Sequence, residues 1–397
     1  MVPEGWQPTT FGNVTRIANG QVDPTIEPYQ SMPHIGPENV VSNTGQIINI
    51  RTTLEDGVTS GKYAFDEHAI VYSKIRPNLN KVCKPGFKGV CSADMYPIWA
   101  LESTSSDFLA HYMRSHLFLS RAVAVSMRTG MPKINRQDLT VLPIALPPRP
   151  EQDRIALMLS IWDKTIAATE RLLAVSEKQK KALMQQLLTG RKRLPGFNDE
   201  WKPYRLGELF KERAETGFLN LPLLSITSDT GVIPRDGVGR KDTSNADKSK
   251  YKRICPGDIG YNTMRMWQGV SALSGHEGIV SPAYTILEPT DKVHPRFAAY
   301  LFKLSGLVHQ FYRHSQGLVS DTWNLKYHHF AEIVWPFPEK PEQEAIANVL
   351  VAADADIAVL KSNLSYLKEE KKALMQQLLT GKRRVKVDAP KKETVNG

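Results

Sequence analysis

The sequence has 397 residues and only three cysteines, Cys83, Cys91 and Cys255. They make neither a disulfide framework nor a paired zinc motif, so reduced thiols are expected. No stretch approaches the roughly 18–20 consecutive apolar residues of a membrane-spanning helix. The segment Met1 to Gly20 contains no long apolar run, so no secretory leader and no membrane partner are expected, and the compartment is read as cytoplasmic.

Catalytic motifs are equally scarce. The single Pro-Pro pair, in Leu146-Pro147-Pro148-Arg149, lacks the flanking Asn or Asp and the aromatic residue of an adenine-methyltransferase loop. The nearest approach to the phosphate loop G-x-x-x-x-G-K-[ST] runs from Gly57 to Tyr63, is one residue short and ends in Tyr. Ten histidines yield no HExxH and no His/Cys cluster with metal spacing. No catalytic residue, metal or cofactor is therefore expected in this chain.

What is present fits a globular chain of two or three domains, 41% hydrophobic and 23% charged. The net charge of +10 favours an anionic partner. The excess is spread out, at +2 over 1–149, +4 over 150–194, +2 over 195–340 and +2 over 341–397.

The strongest feature is an internal repeat, which decides the architecture before any local reading. The segment from Pro150 to Gly190 recurs from Pro341 to Gly381 without a gap, identical at 21 of 41 positions. The last eleven residues of both copies read KKALMQQLLTG, and a short basic run follows each. Weaker echoes flank the copies: Trp6 and Gly12 match Trp201 and Gly207, Tyr72 and Arg76 match Tyr261 and Arg265, and Phe108 matches Phe297. The expected domains are a first head (1–149), a spacer helix (150–194), a second head (195–340), a second spacer helix (341–384) and a disordered tail (385–397).

Each spacer reads as one long helix. In the second copy Ile346, Leu350, Ile357, Leu364, Leu374 and Leu378 keep the spacing of a coiled-coil seam, broken at Lys371. In the first copy Ile155, Leu159, Trp162, Ile166, Leu173, Leu183 and Leu187 keep the same register, with Thr169, Ser176 and Lys180 as weaker seam positions. Pro150 and Pro341 suit helix starts, and Gly190 and Gly381 suit helix ends. Two arrangements are open. Each helix could pack on its own head, or the two could pair. Chain geometry favours an antiparallel pair, because the second helix must run back from the head at which the first one ends.

The heads mix short alternating apolar runs, such as Gly45 to Thr53 and Leu221 to Asp229, with helix-like stretches, Asp107 to Ser126 and Pro295 to His314. The fold class expected is α+β: two globular α+β heads joined by two long helices in an antiparallel coiled coil, with a pseudo-twofold internal repeat. Both heads contain acid-free basic stretches. One carries Lys74, Arg76, Lys81, Lys84 and Lys88, and another carries Arg114, Arg121, Arg128, Lys133 and Arg136. The second head has Arg296, Lys303 and Arg313 between Val293 and Ser320, and Arg240 and Lys241 inside a basic run. Such patches neutralise phosphates, while Arg suits guanine and Asn or Gln suits adenine at base edges. The candidate DNA-binding residues are therefore Lys74, Arg76, Asn78, Lys81, Lys84, Arg128, Lys133, Asn135 and Arg136, and Arg240, Lys241, Asn262, Arg265, Gln268, Arg313, Gln316, Asn324 and Lys326. Trp267 and Trp323 read as core residues.

Two divergent heads, two near-identical helices introduced by Pro147 to Gln152 and Lys340 to Gln343, and no catalytic motif together resemble the specificity subunit of type I restriction-modification systems. The resemblance covers residues 3–384. It implies two target recognition domains, each reading one half of a bipartite asymmetric site in double-stranded DNA, and a helix pair that fixes the gap between the halves. It further implies two modification subunits using S-adenosylmethionine, and restriction subunits using ATP and magnesium, with no cofactor held by this chain. The alternative is a coiled-coil scaffold with two protein-binding heads, which the acid-free basic stretches disfavour.

Overall fold

The computed structural model describes residues 2–126, 132–227, 230–238, 247–319 and 322–386. These fall into two units, one drawn from Met1–Glu170 with Ser362–Gly397 and the other from Arg171–Lys361. Each unit therefore holds one head, part of one long helix and part of the other.

The heads share a sheet plan that their sequences barely show. In the first, a four-stranded antiparallel sheet runs in the order Thr15–Ile17, Met95–Ala100, Ile70–Ser73, Val82–Cys83. In the second, the order Phe210–Glu212, Tyr284–Pro289, Ile259–Asn262, Ser271–Leu273 repeats it. Smaller pairings recur too. Tyr63–Phe65 pairs with Gly89–Cys91 and Lys252–Ile254 with Gly278–Val280. His34 then meets Val90 in parallel, as Leu223 meets Ile279. The helix-like stretch from Asp107 to Ser126 is two helices, Ser106–Arg114 and His116–Ser126. Ser115 breaks it with an extended backbone, and its hydroxyl accepts from the Phe118 N–H as a new cap.

A two-stranded ribbon delivers the chain to each long helix: Gln7–Thr10 with Pro143–Leu146, and Lys202–Arg205 with Val334–Phe337. The helices run Arg149–Leu187 and Lys340–Leu378, 39 residues each. That makes each about 58 Å long at ~1.5 Å per residue. Gly190 and Gly381 follow them, both at φ +69, the left-handed backbone that ends a helix. A Cβ on Gly381 would fall 2.2 Å from Pro3, so the second position also needs glycine for space.

Within each unit the two helices run antiparallel. In the first unit, Asp163 pairs with Lys371 and Glu170 with Lys368. In the second, Glu177 pairs with Lys361 at 2.8 Å and Lys180 with Asp354 at 2.5 Å. The seam residues lie inside: Ile155, Leu159, Leu187, Ile346, Leu350, Ile357 and Leu378 are buried, and Trp162, Ile166, Leu173, Leu183, Leu364 and Leu374 half-buried.

The two arrangements left open by the sequence coexist. Along the pair, helix meets helix. At its ends, Ile155, Leu159 and Leu378 join the first head's core with Trp6, Phe108 and Ile144. Leu187, Ile346 and Leu350 join the second head's core with Leu206, Phe297 and Phe337. Each core is thus completed by the start of one helix and the end of the other. Burial of this kind contributes about 25 cal/mol per Å² of apolar surface.

The same junctions explain why the copies agree best at their two ends. The Glu151 carboxylate accepts two 2.8 Å bonds from Arg384, and Glu342 accepts bonds of 2.6 and 2.7 Å from Arg193. Gln152 ties down the backbone at Ser103, Ser105 and Pro147, and Gln343 does the same at Lys292, His294 and Pro338. The expected tail begins one step too early. Val385 packs against the first core, and its N–H reaches Glu151 at 3.4 Å.

Candidate nucleic-acid interface

The candidate DNA-binding residues of the first head separate into three groups. Arg128 lies outside the described residues. Lys81 and Lys84 are engaged within the head. The Lys81 ammonium donates to the Pro37 carbonyl, and Lys84 pairs with Asp107 at 2.5 Å. The others meet where two segments join. Ile75 bridges Lys133, the Arg76 N–H donates to the Pro132 carbonyl at 2.8 Å, and the Ile134 N–H donates to the Lys74 carbonyl.

Within that junction the side chains have different fates. Lys74 is only 9% exposed and lies 4.9 Å over the Tyr96 ring. Burial pushes its ammonium below the usual lysine range, and the neighbouring Lys133 charge adds to the effect. Asn135 spends its carbonyl on capping the helix Arg136–Thr140, accepting from the Asp138 N–H at 2.8 Å. Arg136 bonds the Ala18 carbonyl and stacks over Tyr96. Lys74, Asn135 and Arg136 are thus committed to the head itself and form a fixed positive floor. Arg76, Asn78 and Lys133 stand exposed above it. Two residues of the acid-free stretch, Arg114 and Arg121, are turned inward onto the carbonyls of Thr44 and Pro143, so they do not face a ligand.

In the second head Arg240 and Lys241 lie outside the described residues. The remaining candidates converge more fully. The Leu325 N–H donates to the Thr263 carbonyl at 2.8 Å, joining the segment of Asn324 and Lys326 to that of Asn262, Arg265 and Gln268. Gln316 and Asn324 exchange two 2.8 Å backbone bonds. Trp267, Trp323 and Tyr312 bind these segments together edge to face, with centroids 5.2 and 4.9 Å apart. The two tryptophans are half-buried here rather than core. Arg265, Gln268, Arg313, Gln316 and Lys326 are exposed. Asn262 turns back onto the Met264 N–H.

Charge and composition did not reveal the apolar part of this face. Met264 and Tyr312 are exposed at its centre, and Leu318 and Val319 beyond it. Alongside lies a cleft of about 540 Å³ lined by Thr263, Met264, Asn324, Lys326, Tyr327 and Lys252.

One correspondence links the heads. Arg76 and Arg265 each precede a short 3-10 turn after a central strand, Pro77–Leu79 and Met266–Gln268, and both are exposed. Neither makes an ion pair among the described residues. Arg76 holds a left-handed backbone at φ 46, a conformation that costs a non-glycine residue about 1–2 kcal/mol. An uncompensated guanidinium held at a rigid strand end suits a phosphate or a guanine edge. Among the described residues there is no group of acidic, histidine and cysteine side chains that could hold a metal. No described helix is long and apolar enough to cross a membrane.

Comparison with known proteins agrees with this geometry. Residues 3–177 match the family model described as the type I restriction modification DNA specificity domain. The EcoDI type I restriction enzyme specificity subunit of Escherichia coli is 42% identical over 154 residues, which is 39% of this chain and 34% of that protein. The similarity to EcoDI thus spans about a third of that relative's length. The MjaVIII type I restriction enzyme specificity subunit of Methanocaldococcus jannaschii is 23% identical, over 97% of this chain and 94% of its own. Among solved structures, the HsdS subunit from Thermoanaerobacter tengcongensis superposes with a TM-score of 0.54 at 21% identity, covering 96% of this chain and 98% of that one. That last likeness is one of fold.

Proposed function

We propose that this chain, which matches the type I restriction modification DNA specificity domain over residues 3–177, is the DNA-reading subunit of a type I restriction-modification complex. Each head reads one half of a bipartite, asymmetric site in double-stranded DNA, and the helix pair sets the gap between the halves. One observation carries this reading. Two heads share a sheet plan and present an exposed arginine at the same strand end, Arg76 and Arg265, amid unlike loops. A shared scaffold with different reading surfaces fits a site whose halves differ.

The chemistry is proposed to reside in partners. Two modification subunits would dock on the helix pair and methylate adenine with S-adenosylmethionine. Restriction subunits would add ATP- and magnesium-dependent translocation and cleavage, all in the cytoplasm. The repeat supports a pair of like partners. Lys181, Ala182, Gln185 and Gln186 match Lys372, Ala373, Gln376 and Gln377 and are exposed in both copies, where packing within the chain does not require identity.

Salt dependence tests the reading. Binding of duplex DNA by the chain with its co-purifying subunits should weaken steeply with salt, because each phosphate contact releases counterions and adds about 0.9 to the slope of log affinity against log salt. Partner capture that ignores salt, with no DNA retained, would instead establish the protein-binding scaffold.

A further inference from the structure

The two lysines that interrupt the apolar seam, Lys180 and Lys371, are unexplained by coiled-coil packing. Both are answered by an aspartate of the other helix, Asp354 and Asp163. Both pairs lie at the repeat's own offset. Each aspartate also touches a head. In the first unit, Asp163 Oδ2 lies 3.7 Å from Arg114 Nη2 and 3.8 Å from His111 Nδ1, both on the head helix Ser106–Arg114. His111 Nε2 also meets Ser160 Oγ at 3.1 Å, and Arg114 continues to the Thr44 carbonyl at 2.8 Å. In the second unit, the Tyr300 hydroxyl donates to Asp354 Oδ2 at 2.6 Å, from the head helix Pro295–Leu301. Lys180 lies 5.4 Å over the same tyrosine ring.

We propose that these are two three-way locks, each joining both long helices to one head, and that Asp163 and Asp354 are positioning residues that fix the pose of each head on its helix pair. The proposal rests on the DNA-reading function above, because the pose of the heads decides which gap between half-sites fits.

The physical case has three parts. Apolar contacts are non-directional, so a purely apolar seam tolerates small slides and rotations. A part-buried ion pair with fixed hydrogen-bond geometry tolerates them less, and single polar seam positions are known to specify register at a cost in stability. That cost is visible here. Burial pushes the Lys371 ammonium below its ordinary range, and Asp163 only opposes the shift. The pair is therefore retained at a site where a leucine would pack without desolvating a charge. Finally, the lock recurs in both units with different head chemistry, histidine and arginine in one and tyrosine in the other. What the two locks share is the three-way junction rather than any one head residue.

The test uses the full chain with its co-purifying subunits and a duplex library in which both half-sites and the gap vary. The wild type is expected to enrich one bipartite motif, preferring one gap length by about tenfold or more over gaps one base pair longer or shorter. Asp163→Asn and Asp354→Asn should keep the bases of both half-sites while the gap preference falls to about twofold. Lys371→Met removes the same lock with volume conserved, and should give the same result if an asparagine variant fails to fold. A folded variant that keeps the full gap preference would overturn the lock. A wild type that enriches no bipartite motif would overturn the DNA-reading function itself, and the lock with it.

Discussion

The two heads have the same sheet order and unlike reading faces. In the first, a cationic floor of Lys74 and Arg136 backed by Tyr96 lies beneath exposed Arg76, Asn78 and Lys133. In the second, tryptophans and a tyrosine tie the loops together, and Arg265, Gln268, Gln316 and Lys326 project from them. The shared part is buried backbone pairing, and the divergent part is loop chemistry. Two scaffolds of one kind can therefore carry exposed loops of different chemistry.

The largest effect should come where the units differ in how a helix end is fastened. Glu342 is held by Arg193 and also accepts from Trp201 Nε1 at 3.1 Å, whereas Glu151 is held by Arg384, and Trp6 Nε1 has no hydrogen-bond partner among the described residues. Arg193→Ala should cost the second unit about 3 kcal/mol, because it removes the charge partner of a buried carboxylate and leaves it only the neutral Trp201 donor. Arg384 is more exposed, so Arg384→Ala should cost the first unit about 1–2 kcal/mol. Hydrogen exchange resolved by peptide would measure both, and equal losses would remove this asymmetry.

Next come the reading arginines. Arg265→Ala should weaken binding by about 1–3 kcal/mol and relax one position in one half-site. Arg76→Ala should do the same in the other half-site only. Uniform loss across all sequences would make either residue a phosphate contact.

The smallest effect is a difference in acid sensitivity. Burial, reinforced by the Arg114 charge, holds the His111 imidazole well below its usual range, so it is neutral in the folded chain. The unfolded chain takes up that proton below about pH 6.5. Stability from this group is therefore complete at neutral pH and is lost as pH falls from about 6.5 through the folded pKa, by at most about 1.4 kcal/mol per pH unit. Arg114, Asp163, Lys371 and Lys84 are the charged groups around it. The second unit has Tyr300 in the corresponding place, and its half-buried His294 is shifted down less strongly. Melting at pH 7 and pH 5 should show a larger acid loss in the wild type than in His111→Gln. An equal loss in both would refute the assignment.

The helices were legible to within a few residues, starting one residue before the expected prolines and ending three before the expected glycines, because a repeated segment at a constant offset leaves little freedom in register. The heads were legible only as α+β. Their strands run two to six residues and are paired by long-range contacts, so no periodic signal marks them. The reading faces were partly legible. Arg76 and Arg265 emerge from the flanking echo of the repeat. The burial of Lys74 depends on Tyr96, which a distant strand brings beneath it, and the cap at Asn135 is a local role that its basic neighbours conceal. Asp163 and Asp354 stood in no apolar pattern, and only the lysines opposite them broke one.

The central claim is that two heads read two half-sites at a gap set by the helices. It is tested most directly by mapping N6-methyladenine across host DNA by single-molecule sequencing, with and without this gene. A split motif methylated in each half and lost on deletion is the outcome this account requires. A methylation pattern indifferent to the gene, in cells shown to express the chain with its subunits, would contradict it.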